Sequence, residues 1–409
     1  METLNRHGLV AKLTRKWIIV LLCFALLLIG AGIQNAFAVF FLPMLREFNW
    51  SMPSLALAMT INGLIAGFSQ PIIGWVVEKH RPKTIILAGA AVAGASVLML
   101  AFASSLWHVY LLYGVVFGFA CISSCMIATT ALVTRWFAER RSLVLTFFQS
   151  AFMLGGFLIV PTAGWLILSY GWRHSWLILG TAFLLIVLVA VFLLKEPETV
   201  QTEVLRSENG AVTSLANLKD RFFPLLLVIF FICGSTDVPF SNLWIPISLE
   251  LGVEEVAASY TLGLMGALAF IGTILVGSLP EKFGNKMPFT LSYVIRTIAL
   301  LIPVLPIKSM TTYYAFATLM GLSTFGMVPV VSAWLGDVYG SRSVGKLFGI
   351  LNFIHHISSS TGIYLFSFIA ETYKTYSPIF LAGLILCVIN VVFCLLVKPS
   401  GKGVEKGML

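Results

Sequence analysis

Charged residues are scarce in this sequence of 409 residues, since Asp, Glu, Lys and Arg make up only 11% of it. A soluble globular protein typically carries about 25% charged residues, so this chain has too little polar surface to cover a water-exposed domain of its size. Hydrophobic residues make up 59%, and the mean hydropathy is +0.97. The composition therefore excludes a soluble protein and predicts one embedded in a membrane.

Other absences exclude further classes. The sequence has no phosphate-binding loop of the Gly-x-x-x-x-Gly-Lys-Ser/Thr type, so ATP is not expected to drive it directly. The six cysteines form no Cys-x-x-Cys pair and have no histidine at metal-ligand spacing, so we interpret them as small core residues. No appended soluble domain and no nucleophile with a matching base is visible. We therefore predict no enzyme activity, no cofactor and no metal site.

What the sequence does contain is a series of apolar stretches of about 18 or more residues, which predict transmembrane helices because backbone groups in lipid must be satisfied within the segment. We predict twelve such spans. They cover residues 17–41, 54–77, 84–103, 107–132, 142–166, 174–194, 222–247, 257–279, 287–306, 312–335, 346–370 and 377–397. The first span is too long for a cleavable signal peptide.

The basic residues mark one face of the membrane. The formal net charge is +9, and 21 of the 26 Lys and Arg residues fall on the side of the predicted termini. By the positive-inside rule, both termini are cytoplasmic and the protein is a multi-pass protein of the inner (plasma) membrane. The charge therefore indicates orientation, and we expect a lipid bilayer around the chain and no nucleic-acid partner.

Residues 195–221 interrupt the apolar pattern with the composition of a solvated linker. We therefore predict an N-terminal six-helix half over residues 1–194, a cytoplasmic linker over 195–221, and a C-terminal six-helix half over 222–409.

An internal repeat links the two predicted halves. The loop after span 2 reads Gly74-Trp-Val-Val-Glu-Lys-His-Arg-Pro-Lys83, and the loop after span 8 reads Gly277-Ser-Leu-Pro-Glu-Lys-Phe-Gly-Asn-Lys286. Both resemble the loop motif G-x-L-A-D-R-x-G-R-K of the major facilitator superfamily. The resemblance implies an all-α integral membrane protein with twelve transmembrane helices in two pseudo-symmetric six-helix halves.

A second motif narrows the resemblance. The segment that begins at Arg135 and precedes span 5 is similar to the monocarboxylate-transporter signature Y-F-x-K-R-R-x-L-A-x-G-x-A, matching it at Phe137, Arg140, Arg141 and Leu143. This looks like the bacterial monocarboxylate-transporter-like and oxalate/formate-type branch, which implies transport of a small organic anion. In span 8, Ala269 and Thr273 stand where that family carries its Asp-x-x-x-Arg pair.

Once the residues of loops, tails and span ends are set aside, two charged residues remain within the predicted spans, Asp237 and Arg296. A charge at membrane depth is unfavourable by roughly 2.5–3.5 kcal/mol, so a functional role is the default hypothesis. Arg296 lies near the midplane of span 9, where its guanidinium either binds a carboxylate ligand or acts as a structural clamp on Asp237 or helix carbonyls. Asp237, two residues before Pro239, is a candidate proton carrier, cation site or partner of Arg296, or a carboxylate near the extracellular interface. Pro239 favours a break in span 7.

Span 11 carries a polar stripe at helical spacing: Asn352, His355, Ser359 and Gly362. Histidine titrates near neutrality and is a natural proton relay. The alternative for His355 is a neutral side chain hydrogen-bonded to a neighbouring helix. His356 points about 100° away, so at most one of the two histidines is expected to face a pathway.

The predicted substrate-binding residues are Arg296, His355, Asn352, Gln34, Asn35 and Gln149, and the predicted proton-coupling residues are Asp237 and His355. The leading hypothesis is a monomeric secondary active transporter that moves a monocarboxylate-like anion with protons by alternating access. Two alternatives stay open: proton-driven efflux of lipophilic or drug-like compounds, and a membrane sensor on a carrier scaffold.

Overall fold

Helices account for all the regular structure in the described part of the chain. The computed structural model describes residues 2–137, 141–196, 221–250, 252–305, 309–324, 327–339 and 344–397. The helices are α1 Glu2–Phe48, α2 Met52–Lys79, α3 Pro82–Leu100, α4 Leu106–Trp136, α5 Arg141–Leu193, α6 Phe222–Asn242, α7 Trp244–Glu250, α8 Glu255–Ser278, α9 Pro280–Phe283, α10 Lys286–Leu301, α11 Met310–Thr324, α12 Met327–Tyr339, α13 Val344–Tyr373 and α14 Ser377–Leu396. The predicted linker falls mostly on residues 197–220, outside the described residues.

Each of the twelve predicted spans coincides with one or more of these helices. Within the described residues, nine segments are long and apolar enough to cross a membrane. One of them, Phe147–Leu193, has 47 residues and covers predicted spans 5 and 6. Span 10 is divided between α11 and α12, and span 11 is α13, whose polar stripe lowers its hydropathy.

Helix α5 bends back on itself at Gly171. This residue has φ +79° and ψ 162°, a backbone conformation that is not helical and that is essentially confined to glycine. A straight helix of 47 residues would be about 70 Å long, whereas the hydrocarbon core of a bilayer is about 30 Å thick. Gly171 therefore divides α5 into two helical segments, one for each of the predicted spans 5 and 6.

The contacts divide the chain into two compact units. One unit contains residues 1–36 and 68–209, and the other contains residues 37–67 and 210–409. In the second unit, the start of α2 contacts α13. The backbone N–H of Met52 donates to the Glu371 carboxylate at 3.0 Å, and the Thr60 hydroxyl donates to the carbonyl of Ser360 at 2.9 Å.

The sequence repeat has a structural counterpart inside each unit. Lys83, the last residue of the first loop motif, extends its ammonium group to the carbonyl of Val191 at 3.5 Å. Lys286, the equivalent residue of the second motif, donates to the carbonyl of Leu395 at 2.6 Å. Each lysine thus ties the start of a helix to the end of another helix 108 or 109 residues later in the chain.

An aromatic core lies beneath the polar residues of the second unit. Trp334 packs against Phe222 and Phe289 with ring centroids 5.1 and 5.6 Å apart. Phe289 in turn contacts the edge of Tyr293 at 5.5 Å. This core fixes the position of α10, the helix that carries Arg296 one turn beyond Tyr293.

Candidate functional site

The two intramembrane charges predicted from the sequence form an ion pair. Arg296 on α10 and Asp237 on α6 approach to 3.4 Å between Nη2 and Oδ2. Arg296 is fully buried and Asp237 is 5% exposed. Of the roles predicted for Asp237, the partner of Arg296 is the one that this geometry displays.

The guanidinium of Arg296 is held by neutral groups as well. Its Nη2 donates to the carbonyl of Ser323 at 3.1 Å and its Nε to the Ser323 hydroxyl at 3.4 Å. Its Nη1 lies 3.4 Å from the sulfur of Cys233. The guanidinium carbon is 5.7 Å from the centre of the Tyr293 ring, at cation–π distance. Arg296 thus clamps a helix carbonyl and a carboxylate at the same time.

Asp237 has a second partner and lies next to a histidine. The Thr324 hydroxyl lies 3.3 Å from its Oδ1, so both carboxylate oxygens are engaged. The sulfur of Cys233, a carboxylate oxygen of Asp237 and a ring nitrogen of His355 lie within 4.8 Å of one another. The positive charge beside these atoms is the Arg296 guanidinium, so we interpret the group as an ion-pair network and not as a metal centre.

Close contact between the backbones of α6 and α13 brings His355 to this network. A side chain at Gly234 would collide with the carbonyl oxygen of His355. About two turns after His355 on α13, a side chain at Gly362 would lie 2.8 Å from Pro239. Glycine is therefore required at Gly234, because only hydrogen leaves room for the facing backbone.

The predicted break at Pro239 is displaced along the chain. Helix α6 continues past Pro239 to Asn242, and the non-helical residue is Leu243, with φ −96° and ψ 9°. Its N–H still donates to the carbonyl of Pro239 at 3.0 Å. A proline removes only its own N–H donor, so a helix can pass through it where neighbouring helices support the backbone. Asp237 consequently sits in continuous helix.

The remaining polar residues of α13 point in several directions. His355 lies edge-on to Phe230, with ring centroids 6.5 Å apart, and its ring is nearly perpendicular to that of His356 at 6.0 Å. His356 instead faces α2, since a side chain at Gly67 would lie 3.0 Å from its Cβ. As predicted, the two histidines face different surroundings. Asn352 is partly buried one turn before His355.

Three of the predicted substrate-binding residues belong to the other unit. Gln34 and Asn35 are partly buried on α1, where the carbonyl of Gln34 accepts a hydrogen bond from the Tyr113 hydroxyl at 3.2 Å. The side chain of Asn35 would lie 3.3 Å from a Cβ at Gly156. Gln149 is partly buried on α5. The structure thus brings Arg296, Asp237 and His355 together in one unit. Gln34, Asn35 and Gln149 belong to the other unit.

Sequence reasoning missed two members of the network. Cys233 had been interpreted as a core residue, although it lies four positions before Asp237 and so on the same helical face. Tyr293 stands three positions before Arg296, and one aromatic residue within a span carries no signal of its own. The side chains of Glu78 and Glu281 in the two loop motifs, and of Arg140 and Arg141 before span 5, lie outside the described part of the structure.

The all-helical fold, the buried ion pair and the repeated loop motif together fit a membrane transport protein. The model of the Major Facilitator Superfamily matches residues 22–301 and 225–408. The chain belongs to this superfamily of transporters.

Relatives support this assignment along the length of the chain. The chain is 27% identical to the uncharacterized MFS-type transporter YcxA of Bacillus subtilis (strain 168), over 85% of this chain and 87% of that protein. It is 22% identical to monocarboxylate transporter 13 of Rattus norvegicus, over 90% and 85% of the two chains. It is 23% identical to monocarboxylate transporter 12 of Homo sapiens, over 92% and 78%.

A solved structure agrees in fold. The crystal structure of a bacterial homolog to the human lysosomal transporter Spinster, in an inward-facing and unoccupied conformation, superposes with a TM-score of 0.77. The alignment covers 94% of this chain and 97% of that chain at 14% sequence identity. The predicted all-α fold and membership of the superfamily are confirmed, and the protein is a transporter and not an enzyme.

Proposed function

We propose that this protein moves a small organic anion of the monocarboxylate class together with protons, by alternating access. The observation that carries the proposal is the ion pair of Arg296 and Asp237, buried at 3.4 Å within a membrane protein. A guanidinium offers a planar fork of donors that matches a carboxylate, and Asp237 is the carboxylate that occupies it in this structure. The relatives named monocarboxylate transporter support the same class of substrate.

Exchange of carboxylates on Arg296 would couple the anion to a proton. A buried guanidinium without a negative partner is strongly unfavourable, so Asp237 leaves Arg296 only when a substrate carboxylate replaces it. The displaced Asp237 is then buried without a cation and takes up a proton. His355, within 4.8 Å of the carboxylate, is the residue we propose to pass that proton. The anion and the proton consequently bind together and leave together.

The other predicted residues keep their proposed roles in this scheme. Asn352, Gln34, Asn35 and Gln149 are proposed as polar contacts for the rest of the substrate. We further propose that the protein acts as a monomer in the inner membrane with both termini on the cytoplasmic side, which the distribution of Lys and Arg supports. Fluorescent and enzymatic reporters fused to the C-terminus measure that orientation directly.

Transport by purified protein in liposomes tests the proposal. Radiolabelled formate, acetate, lactate and pyruvate are offered with and without an inward proton gradient. We expect gradient-driven accumulation by the natural protein, loss of accumulation and of counterflow in Arg296→Gln, and loss of accumulation alone in Asp237→Asn. His355→Gln should slow gradient-driven uptake more than counterflow.

Matched variants separate these effects from general damage. Asp337→Asn changes an exposed carboxylate that accepts a hydrogen bond from Asn285, and His174→Gln changes an exposed histidine. Both should transport as the natural protein does. Counterflow by Arg296→Gln within about twofold of the natural rate would refute the role of Arg296. Stabilisation of the protein by lipophilic cations, and by none of the four carboxylates, would favour efflux instead.

A further inference from the structure

The hydroxyl of Tyr293 is a buried polar group that the network around Arg296 does not use. Tyr293 is fully buried, and its hydroxyl has no nitrogen or oxygen partner among the described residues; the group within its reach is the sulfur of Cys233, a weak hydrogen-bond acceptor. Buried hydroxyls are nearly always hydrogen-bonded, because leaving one unsatisfied forfeits its interaction with water. Phenylalanine would fill the same space without that penalty. The hydroxyl therefore needs an explanation.

The position of Tyr293 next to Arg296 suggests a partner for the hydroxyl, namely a ligand bound to Arg296. Tyr293 and Arg296 are three residues apart on α10, a spacing that puts both side chains on one face of the helix. The guanidinium carbon lies 5.7 Å from the centre of the Tyr293 ring. Both side chains are fully buried, so they share one enclosure. A rearrangement that admits a substrate to the guanidinium along this face also brings it to the tyrosine.

The carboxylate now bound to Arg296 shows what such a ligand needs. Asp237 is held at two points, with one oxygen on the guanidinium and the other 3.3 Å from the Thr324 hydroxyl. A guanidinium and a hydroxyl thus together satisfy one carboxylate. Tyr293 carries a second hydroxyl, on a ring whose centre lies 5.7 Å from the carbon of the same guanidinium, and that ring packs against Phe289.

We propose that Tyr293 is a substrate-binding residue, whose hydroxyl donates a hydrogen bond to a carboxylate oxygen of the anion bound at Arg296. This inference rests on the proposed function, because it assigns a second donor to the same anion. It favours ligands with an acceptor oxygen next to the one that Arg296 takes, as in a carboxylate. The hydroxyl then has a strong, charged acceptor only when the carrier is loaded.

Tyr293→Phe tests the inference by two measurements, the thermal stability of the ligand-free protein and the KM for the transported anion. A substrate-binding hydroxyl and a structural one predict different results for each. Removing a buried hydroxyl that has only a weak acceptor should leave the thermal stability of the ligand-free protein unchanged or raised, whereas removing a hydrogen bond that supports the fold lowers it. The KM for the transported monocarboxylate should rise at least about tenfold, because hydrogen bonds to charged groups are the stronger ones. Stabilisation of the purified protein by that anion should fall in parallel.

Tyr364→Phe on α13 is the matched control, since this tyrosine is 37% exposed. It should leave both the KM and the stability unchanged. A KM for Tyr293→Phe within about twofold of the natural value would overturn the inference, and so would a lower stability of its ligand-free form. Failure of the proposed function is a different result, in which the natural protein itself transports none of the four carboxylates.

Discussion

Asp237 Oδ2 and Arg296 Nη2 lie 3.4 Å apart, with the arginine side chain fully buried. A buried pair differs from a surface pair because neither charge can return to water when its partner is removed. We therefore expect Asp237→Asn and Arg296→Gln to lower the free energy of unfolding by about 3 kcal/mol each. Thermal unfolding of the purified protein in detergent measures the change.

The double variant provides the decisive comparison for this pair. Asp237→Asn with Arg296→Gln leaves no unpaired charge, so its loss of stability should be smaller than the sum of the two single losses. Asp337→Asn, at an exposed carboxylate, should change stability by less than about 0.5 kcal/mol. Strict additivity of the two single changes would contradict the paired arrangement.

Gly234 should not tolerate a methyl group. A Cβ there collides with the carbonyl oxygen of His355 and lies 3.1 Å from the backbone nitrogen of Ser359. We expect Gly234→Ala to cost about 1–3 kcal/mol, because backbone on the facing helix must move. Gly349→Ala, on the facing helix α13 and with no atom within 4 Å of the added carbon, should be neutral or stabilising. Equal melting temperatures for the two variants would show that α6 and α13 are further apart.

Gly171 should also be sensitive to substitution by alanine, because of its backbone conformation. Its φ of +79° with ψ of 162° falls where residues with a side chain are strained by about 1–3 kcal/mol. Gly171→Ala is therefore expected to destabilise the protein by that amount, although the added carbon meets nothing within 4 Å. Gly74→Ala is the control, since it is also free of contacts but lies within helix α2. Stability of Gly171→Ala at or above that of the control would refute the turn.

Glu371 should stabilise the start of α2. Its carboxylate accepts a hydrogen bond at 3.0 Å from the N–H of Met52, the first residue of that helix. The positive end of a helix favours a negative charge and an acceptor. We expect Glu371→Ala to cost about 1 kcal/mol, and Glu371→Gln less, because the amide keeps an acceptor oxygen but loses the charge.

A second helix start provides the reference for that measurement. Glu254 precedes α8 and makes no side-chain capping hydrogen bond. Glu254→Ala should therefore change stability by less than about 0.5 kcal/mol. If Glu254→Ala lowers the stability as much as Glu371→Ala does, the loss of one negative charge explains both results, and capping by Glu371 is excluded.

Much of the fold follows from hydropathy. Lipid forces the backbone into helices, so each predicted span meets a helix, and the loop repeat identifies equivalent lysines that make equivalent bonds. Helix ends are harder to predict, because polar residues beyond the bilayer continue the helix. Helix α1 begins at Glu2 and ends at Phe48, well outside the predicted span 17–41. The predicted break at Pro239 falls instead at Leu243, because packing against α13 supports the proline-containing turn.

Site residues could be predicted from the sequence where their residue type is rare within a membrane span, and not where it is common. Asp237 and Arg296 stand out because charge is unfavourable in a membrane. Cys233 and Tyr293 do not stand out, since buried cysteines and aromatic residues occur throughout the spans. Which residues contact Arg296 depends on how closely helices approach, and that distance is decided at positions such as Gly234, which carry no chemical signature.

The backbone contact at Gly234 divides the site mechanically. With no side chain between them to repack, α6 and α13 stay in close backbone contact, so we expect Asp237 and His355 to move together. Arg296 is mounted on α10, which is tied instead to α11 through the carbonyl of Ser323. A motion that separates these two helix pairs would open the ion pair while it preserves the short path between the carboxylate and the imidazole.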